Sequence, residues 1–457
     1  MNLLVKDKCF YKKMAVIAIP ISLQSMITIG VNMTDTVMVG KLGENSLSAT
    51  ALANQFVNIY QICCMGIAMG ASVLTSRFWG MQDITSLKKT ITLMLRLCIV
   101  LAVLFMLPTI LIPQLLMRMY TNDSAVIAQG VQYFKWMVYC YFLQGMTMTC
   151  TIVLRSVGQV NFPLFTSIGS FFVNILFNYM FIFGKLGVPR MEVEGAGVGT
   201  LIARVFEFSL ICGYFLFVDR KIGYRLKDLR MKCNSLIKDY VSISIPVFVS
   251  DSLLALGTSA VAMVMGRIGT GFVSANSITV VTQQLTTVII QGICHASCIM
   301  TGHTLGHGER EKAQQQAWTF LILGLVVGIL GGALIKVLSR SIIGLYNITP
   351  ETAQIAGELM DAIAFIVIFQ SMNSILTKGV LRGGGDTKFL MVADIIFLWA
   401  ASLPLGILAG LVWHLDAFWI YVFLKIDQIC KSIWCVFRLR SGKWIKTFSK
   451  EKMNHAQ

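Results

Sequence analysis

Charge is what this sequence has least of. Only 13% of its 457 residues are charged and 56% are hydrophobic, whereas soluble proteins carry about 25% charged residues. That supply cannot cover the surface of soluble domains on this length, so an ordinary soluble protein is excluded. Catalytic signatures are missing too. The chain has no G-x-x-x-x-G-K-[ST], H-E-x-x-H or G-x-S-x-G, which removes a phosphate-cradling ATPase and the commonest hydrolase sites. His303 and His307, and the group Cys294, His295 and Cys298, lack the further ligands a metal site needs. Neither points to an enzyme, and no cofactor is implied. None of the 12 cysteines falls in a candidate outer loop. They read as small apolar thiols within apolar segments, not as a disulfide framework. Lys6, Lys8, Lys12 and Lys13 precede a full-length apolar run with no small-residue cleavage pattern, which argues against a cleaved leader.

What the chain has in abundance is apolar runs near the ~20 residues that span a bilayer. Twelve are separable, at 14–39, 51–77, 91–117, 131–154, 162–183, 196–217, 241–265, 275–302, 316–340, 353–381, 389–412 and 418–437. They are continuously apolar, so helices are expected and not barrel strands. The terminal segments and even-numbered connections carry 27 of the 38 Lys and Arg residues, and the odd-numbered connections carry 7. By the positive-inside rule both termini are cytoplasmic, in the cell membrane. The net charge of +16 therefore reads as inner-face charge near anionic lipid, and nucleic acid is not an expected partner.

The sequence repeats itself at an offset of 226. Ile19-Pro20 matches Ile245-Pro246, Gly40-Lys41-Leu42-Gly43 matches Gly266-Arg267-Ile268-Gly269, and Gly66-Ile67 matches Gly292-Ile293. With one residue of slippage, Val153-Leu154-Arg155-x-x-Gly158 matches Val380-Leu381-Arg382-x-x-Gly385. Each half holds six spans, so both halves keep one orientation, and a pseudo-twofold axis along the membrane normal is expected. The expected fold is an all-α polytopic membrane protein of twelve transmembrane helices in two six-helix lobes. The boundaries are 1–217 for the first lobe, 218–240 for a basic cytoplasmic linker, 241–438 for the second lobe and 439–457 for a basic tail. Such parallel-repeat bodies suit alternating access.

The repeated pieces resemble those of MATE (multidrug and toxic compound extrusion) transporters. The resemblance is carried by Pro20 with Asn32-Met33-Thr34-Asp35-Thr36-Val37-Met38-Val39-Gly40-Lys41-Leu42-Gly43, and by the inner turns Leu154-Arg155-Ser156-Val157-Gly158 and Leu381-Arg382-Gly383-Gly384-Gly385-Asp386-Thr387. Asn174-x-x-x-Asn178 and Gly195-Ala196-Gly197-Val198-Gly199-Thr200 add to it. The resemblance implies a secondary antiporter that exports small organic cations in exchange for protons or sodium, acting as a monomer.

A charge inside the bilayer is costly, which makes every acid within a span a functional candidate. These are Asp35, Glu207, Asp251, Asp361, Asp394 and Asp427. Glu207 follows Arg204 by three residues, a spacing suited to an internal ion pair. Asp394 and Asp427 lie toward cytoplasmic ends, where an interhelix pair or hydration would serve. Asp35 stands in a polar run with no basic residue at i±3 or i±4, so it should be neutral or hold a cation. The resemblance adds Asn174, Asn178 and Thr200 to a cation-coupling site with Asp35. Some members carry an Asp where this chain has Asn178, which weakens sodium binding here and favours proton coupling. Asp251, whose repeat counterpart is Ser25, is a further candidate for substrate or ion contact. Gly324, Gly328 and Gly332 form a small-residue stripe for helix packing. The alternatives are a lipid-linked sugar flippase, which would show cationic side chains in its cleft, and a non-transporting receptor, which has no need of a duplicated body.

Overall fold

The structure, a computed structural model, describes residues 4–185, 187–344 and 348–447. Among these no strand occurs. Six long helices form the first half: α1 (Lys8–Gly40), α2 (Glu44–Gly80), α3 (Ile84–Leu111), α4 (Ser124–Ser156), α5 (Asn161–Phe183) and α6 (Glu192–Gly213). The second half has α7 (Asn234–Ile268), α8 (Thr270–Gly306), α9 (Arg310–Ile343) and α10 (Pro350–Ser374). It ends with α11, which starts at Thr387–Asp394 and runs on to Val412, and α12, made of Ala417–Leu424 and Ile426–Arg440. π-helical turns extend α6 (Tyr214–Val218), α10 (Ile375–Leu381) and parts of α11. Among the described residues, eleven helices are long and apolar enough to cross a membrane. The twelfth, α12, is interrupted at Lys425.

Local chemistry sets the helix ends. The Asp83 carboxylate accepts from the Ser86 amide at 3.0 Å, and that of Asp123 from the Ala125 amide at 2.8 Å, each capping a helix start. The apolar run 91–117 does not stay one helix. α3 stops at Leu111, and Pro113 opens a short helix, Pro113–Arg118, because a residue before proline is pushed out of the helical region.

The duplication is visible in the backbone. Gly158 and Gly385, the glycines that end the two Leu-Arg turns, both take the left-handed conformation, at φ 80° and 87°. Gly308 (φ 81°) has Gln82 (φ 57°) as its counterpart, a conformation that costs a side-chain-bearing residue more than glycine. The packing repeats as well. α4 packs on α2, α3 and α6, and α5 pairs with α6; α10 packs on α8, α9 and α12, and α11 pairs with α12.

The chain forms two compact units, Leu23–Ser244 and Met1–Ser22 with Ile245–Gln457. Both boundaries fall inside helices, two residues from Pro20 and Pro246, where a backbone hydrogen bond is missing. In the unit Leu23–Ser244, Tyr60, Phe105, Phe134 and Tyr141 build an aromatic core around Phe56. The Tyr60 hydroxyl donates to the Tyr141 carbonyl at 2.5 Å. The basic connection after α6 is tied to α3: Lys88 meets Asp228 at 2.9 Å, and Arg96 donates to the carbonyls of Leu229 and Met231. Partial burial works against the Asp228 charge, yet the Lys88 ammonium and the Arg225 amide hold its carboxyl below the usual range.

In the other unit the glycine stripe of α9 lies against α10. A Cβ on Gly328 would stand 2.8 Å from the Ile368 Cα, and one on Gly332 2.5 Å from the Ala364 carbonyl. Those distances leave no room for a side chain. Gly328→Leu is therefore expected to lower the melting temperature of the purified protein by several degrees, the scale of a ~1–3 kcal/mol overpacking cost. An unchanged melting curve would refute the close approach. Residues after α12 fold back onto the inner turn: Trp444 is buried, its indole N–H donates to Gln314 at 2.7 Å, and Asp386 holds Arg438 at 2.7 Å and Lys446 at 3.2 Å.

Candidate functional site

A cavity of about 570 Å³ opens within the unit Leu23–Ser244, lined by α1, α2, α4, α5 and α6. Its polar wall is made by helix periodicity. Ser167, Asn174 and Asn178 fall on one face of α5 and are all buried. Opposite them α1 brings Asp35, which is half-buried. The Asn178 amide nitrogen donates to Asp35 Oδ1 at 2.6 Å and to Asn174 Oδ1 at 3.3 Å. Three of the four residues expected at a cation-coupling site are thus joined by hydrogen bonds. Thr200, the fourth, lines the same cavity from α6.

Gly199 makes that arrangement possible. A Cβ there would sit 2.1 Å from Asn178 Oδ1 and 2.9 Å from its backbone nitrogen. Even a methyl group would have to push α5 from α6 or drive the Asn178 amide off Asp35. Gly199→Val should therefore cut efflux at least tenfold while membrane levels stay near wild type, read by dye export from cells with an immunoblot alongside. Export at the parental rate would mean that the Asn178 position is irrelevant.

Two guanidinium groups, Arg155 and Arg204, also line this cavity, beside the acids that the sequence singles out. Arg204 is paired with Glu207 at 2.8 Å, the spacing i, i+3 expected for an internal pair, and it lies close enough to act electrostatically on Asp35. Asp35 has no basic neighbour on its own helix; its cation comes from α6. Arg155, at the C-terminal end of α4, donates to the Gln24 side-chain carbonyl, and Gln24 in turn donates to Ser167 at 2.8 Å. The cavity wall is therefore mixed in charge.

The remaining acids are paired. Asp251 of α7 meets Arg382 at 3.0 Å. Lys431 of α12 bridges Asp394 at 3.0 Å and Asp427 at 3.1 Å, with all three buried. Asp394 and Asp427 thus form an interhelix pair through Lys431 and are not hydrated. Asp361 holds Lys336 at 2.6 Å on an exposed surface. Sequence reasoning missed Arg155 because its partner Gln24 lies on another helix, and missed Lys431 although Asp427 stands four residues before it on α12; only its Asp394 partner lies on another helix. The repeat carries the signal for both: at an offset of 227, Arg382 matches Arg155 and Lys431 matches Arg204. Among the described residues no group of three or more His, Cys, Asp or Glu could hold a metal ion.

A duplicated body with, among the described residues, eleven helices long and apolar enough to cross a bilayer, and with a polar site in a cavity of its first half, is that of a multi-pass membrane transporter. The MatE family model matches residues 20–180 and 246–429, one match in each half. The chain belongs to this family, whose members are transporters. It is similar to an uncharacterized transporter, YisQ, of Bacillus subtilis, with 24% identity over 93% of both chains. It is also similar to a probable multidrug resistance protein, NorM, of Thermotoga maritima, with 23% identity over 95% of this chain and 93% of that one. Among solved structures, a mutant of the Vibrio cholerae MATE transporter VcmN superposes with a TM-score of 0.86 at 16% identity, covering 94% of this chain and 96% of that one. An outward-facing multidrug resistance MATE transporter gives 0.84 at 18% identity, with the same coverage. These structures share the all-helical fold.

Proposed function

We propose that the protein is a secondary antiporter that exports organic cations in exchange for protons or sodium by alternating access. The observation that carries this reading is the hydrogen bond from Asn178 to Asp35, a carboxylate that lines the cavity. A carboxylate held by the Asn178 amide, with the Arg204–Glu207 pair in the same cavity, can release its hold on a cationic substrate when a proton or a sodium ion cancels its charge. No phosphate cradle is present in the sequence, which leaves an ion gradient as the energy source. Asn178 in place of a second acid favours protons, because sodium is better held by two negative charges than by one.

The test is export from proteoliposomes under an imposed pH gradient and, separately, a sodium gradient. Quaternary ammonium dyes are expected to leave at least tenfold faster than purely anionic dyes of similar size. Equal rates for anions would overturn the cationic assignment. Arg155 and Arg204 in the cavity wall are cationic side chains of the kind a lipid-linked sugar flippase would show, so a pyrophosphate-bearing lipid belongs in the same assay, and its transport would favour that second reading.

The charge bias of the connections supports cytoplasmic termini and an outer segment between α5 and α6. With the exposed Cys9 replaced, Pro189→Cys should react with a membrane-impermeant maleimide on intact cells. Ser441→Cys should react only after the membrane is opened. The reverse pattern would invert the topology.

A further inference from the structure

Arg155 is the cation in the cavity that the coupling site does not use. Its repeat counterpart, Arg382, is neutralised by Asp251 of α7 at 3.0 Å. The position matching Asp251 in α1 is Ser25, so the same carboxylate does not exist in the first half. One neighbouring bond recurs in both halves. Gln24 bonds Ser167 in the first, and Ser250, at the matching position, bonds Asp394 in the second. Arg155 therefore keeps only the neutral Gln24 carbonyl. Its Nε is buried without a hydrogen-bond partner, and among the described residues no carboxylate pairs with it. The guanidinium lines the cavity that holds Asp35. An unneutralised, half-buried guanidinium in a cavity wall attracts an oxyanion, which it can grip with two parallel N–H donors.

We propose that Arg155 is an oxyanion-binding site in this cavity and that it takes the carboxylate of amphoteric substrates. Asp35 lies 11 residues from Gln24 along α1, about 16 Å at the helical rise. The cavity thus presents a positive group toward its inner end and a negative group further along. A molecule carrying a carboxylate at one end and an ammonium at the other matches both, and 570 Å³ is drug-sized. The inference rests on the cation-export reading for the role of Asp35, but the Arg155 end can be tested without it.

The experiment measures equilibrium binding to the purified full-length protein in neutral-lipid nanodiscs. The probes are a fluorescent lipophilic amino acid and its methyl ester, which keep the same scaffold and differ in one negative charge. Arg155→Gln should weaken the acid about tenfold or more and change the ester less than twofold. Ser25→Asp, which leaves Arg155 in place and supplies the counter-charge that Asp251 provides in the other half, should weaken the acid to a similar degree. Arg155→Lys should recover part of the affinity. Loss of acid and ester together in a folded Arg155→Gln, or of neither, overturns the proposal. Folding is checked independently, since a misfolded Arg155→Gln would lose the ester as well, and Ser25→Asp then decides. Adding anionic phospholipid to the nanodiscs separates the two sources of oxyanion. Competition against the acid in wild type alone identifies a lipid phosphate as an occupant of the same site. Failure of the ester to be exported by wild type would sink the cation reading and leave the binding comparison intact.

Discussion

Asp35→Asn is expected to abolish gradient-driven export while leaving the protein in the membrane at wild-type levels. The substitution keeps the shape of the side chain and removes its charge, so it mimics the state in which a proton has been taken. Asn178 still has Asn174 to donate to, and the replacement amide oxygen can accept the bond now made to Asp35 Oδ1. Insertion does not suffer, because taking a charge out of the bilayer lowers the cost of insertion. What is lost is the cycle. A permanently neutral residue cannot alternate between holding a cation and holding a proton, so an imposed gradient has nothing to act on. The fall in rate should be at least a hundredfold in proteoliposomes, under whichever gradient drives the parent. Equilibrium binding of a quaternary ammonium probe should weaken by a smaller factor, because the apolar walls and Glu207 remain. Asp35→Asn transporting at the parental rate would make the Asp35–Asn178 contact structural.

The division between what the sequence disclosed and what it hid follows from the range of the interactions. Helix number, the duplicated halves and the polar face of α5 are written in periodicity and composition, which are local. The glycine stripe of α9 was legible for the same reason, and its residues meet the α10 backbone at Ile368 and Ala364. The partners of charged residues are a matter of which helices adjoin, and that is not local. Arg204–Glu207 was legible at i, i+3 because one helix holds both. Lys431–Asp394 was not, since α11 supplies the carboxylate. The break at Lys425 was also hidden: hydropathy runs through it, and only the backbone shows the helix restarting at Ile426. Repeat comparison recovers some of this hidden wiring. At an offset of 227, Thr200 and Arg204 of α6 correspond to Asp427 and Lys431 of α12. The two halves therefore place a cation at the same level and neutralise it differently, from Glu207 within α6 in one and from Asp394 and Asp427 in the other.

That difference makes Lys431 the most consequential buried charge of the second half. Replacing it by Met should destabilise the protein by about 3–5 kcal/mol, the usual cost of breaking a buried ion pair by removing one partner. The ammonium stands 3.0 Å from Asp394 and 3.1 Å from Asp427, and the three residues are 2–6% exposed. Without it two carboxylates share one dry space. Ser250 already donates to Asp394, and Gln428 donates to Asp427 Oδ2 at 2.7 Å, but Asp427 Oδ1 has no hydrogen-bond donor. One acid must then take up a proton or the helices must part. In detergent the melting temperature should fall on the order of 10 °C. The triple variant Asp394→Asn, Asp427→Asn, Lys431→Met removes all three charges together and should recover most of that loss, because a neutral cluster carries no unpaired ion. If Lys431→Met melts with the parent, the three residues do not act as an ionised unit. If the triple variant melts no higher than the single one, the loss comes from the packing of the Lys431 stem and not from its charge.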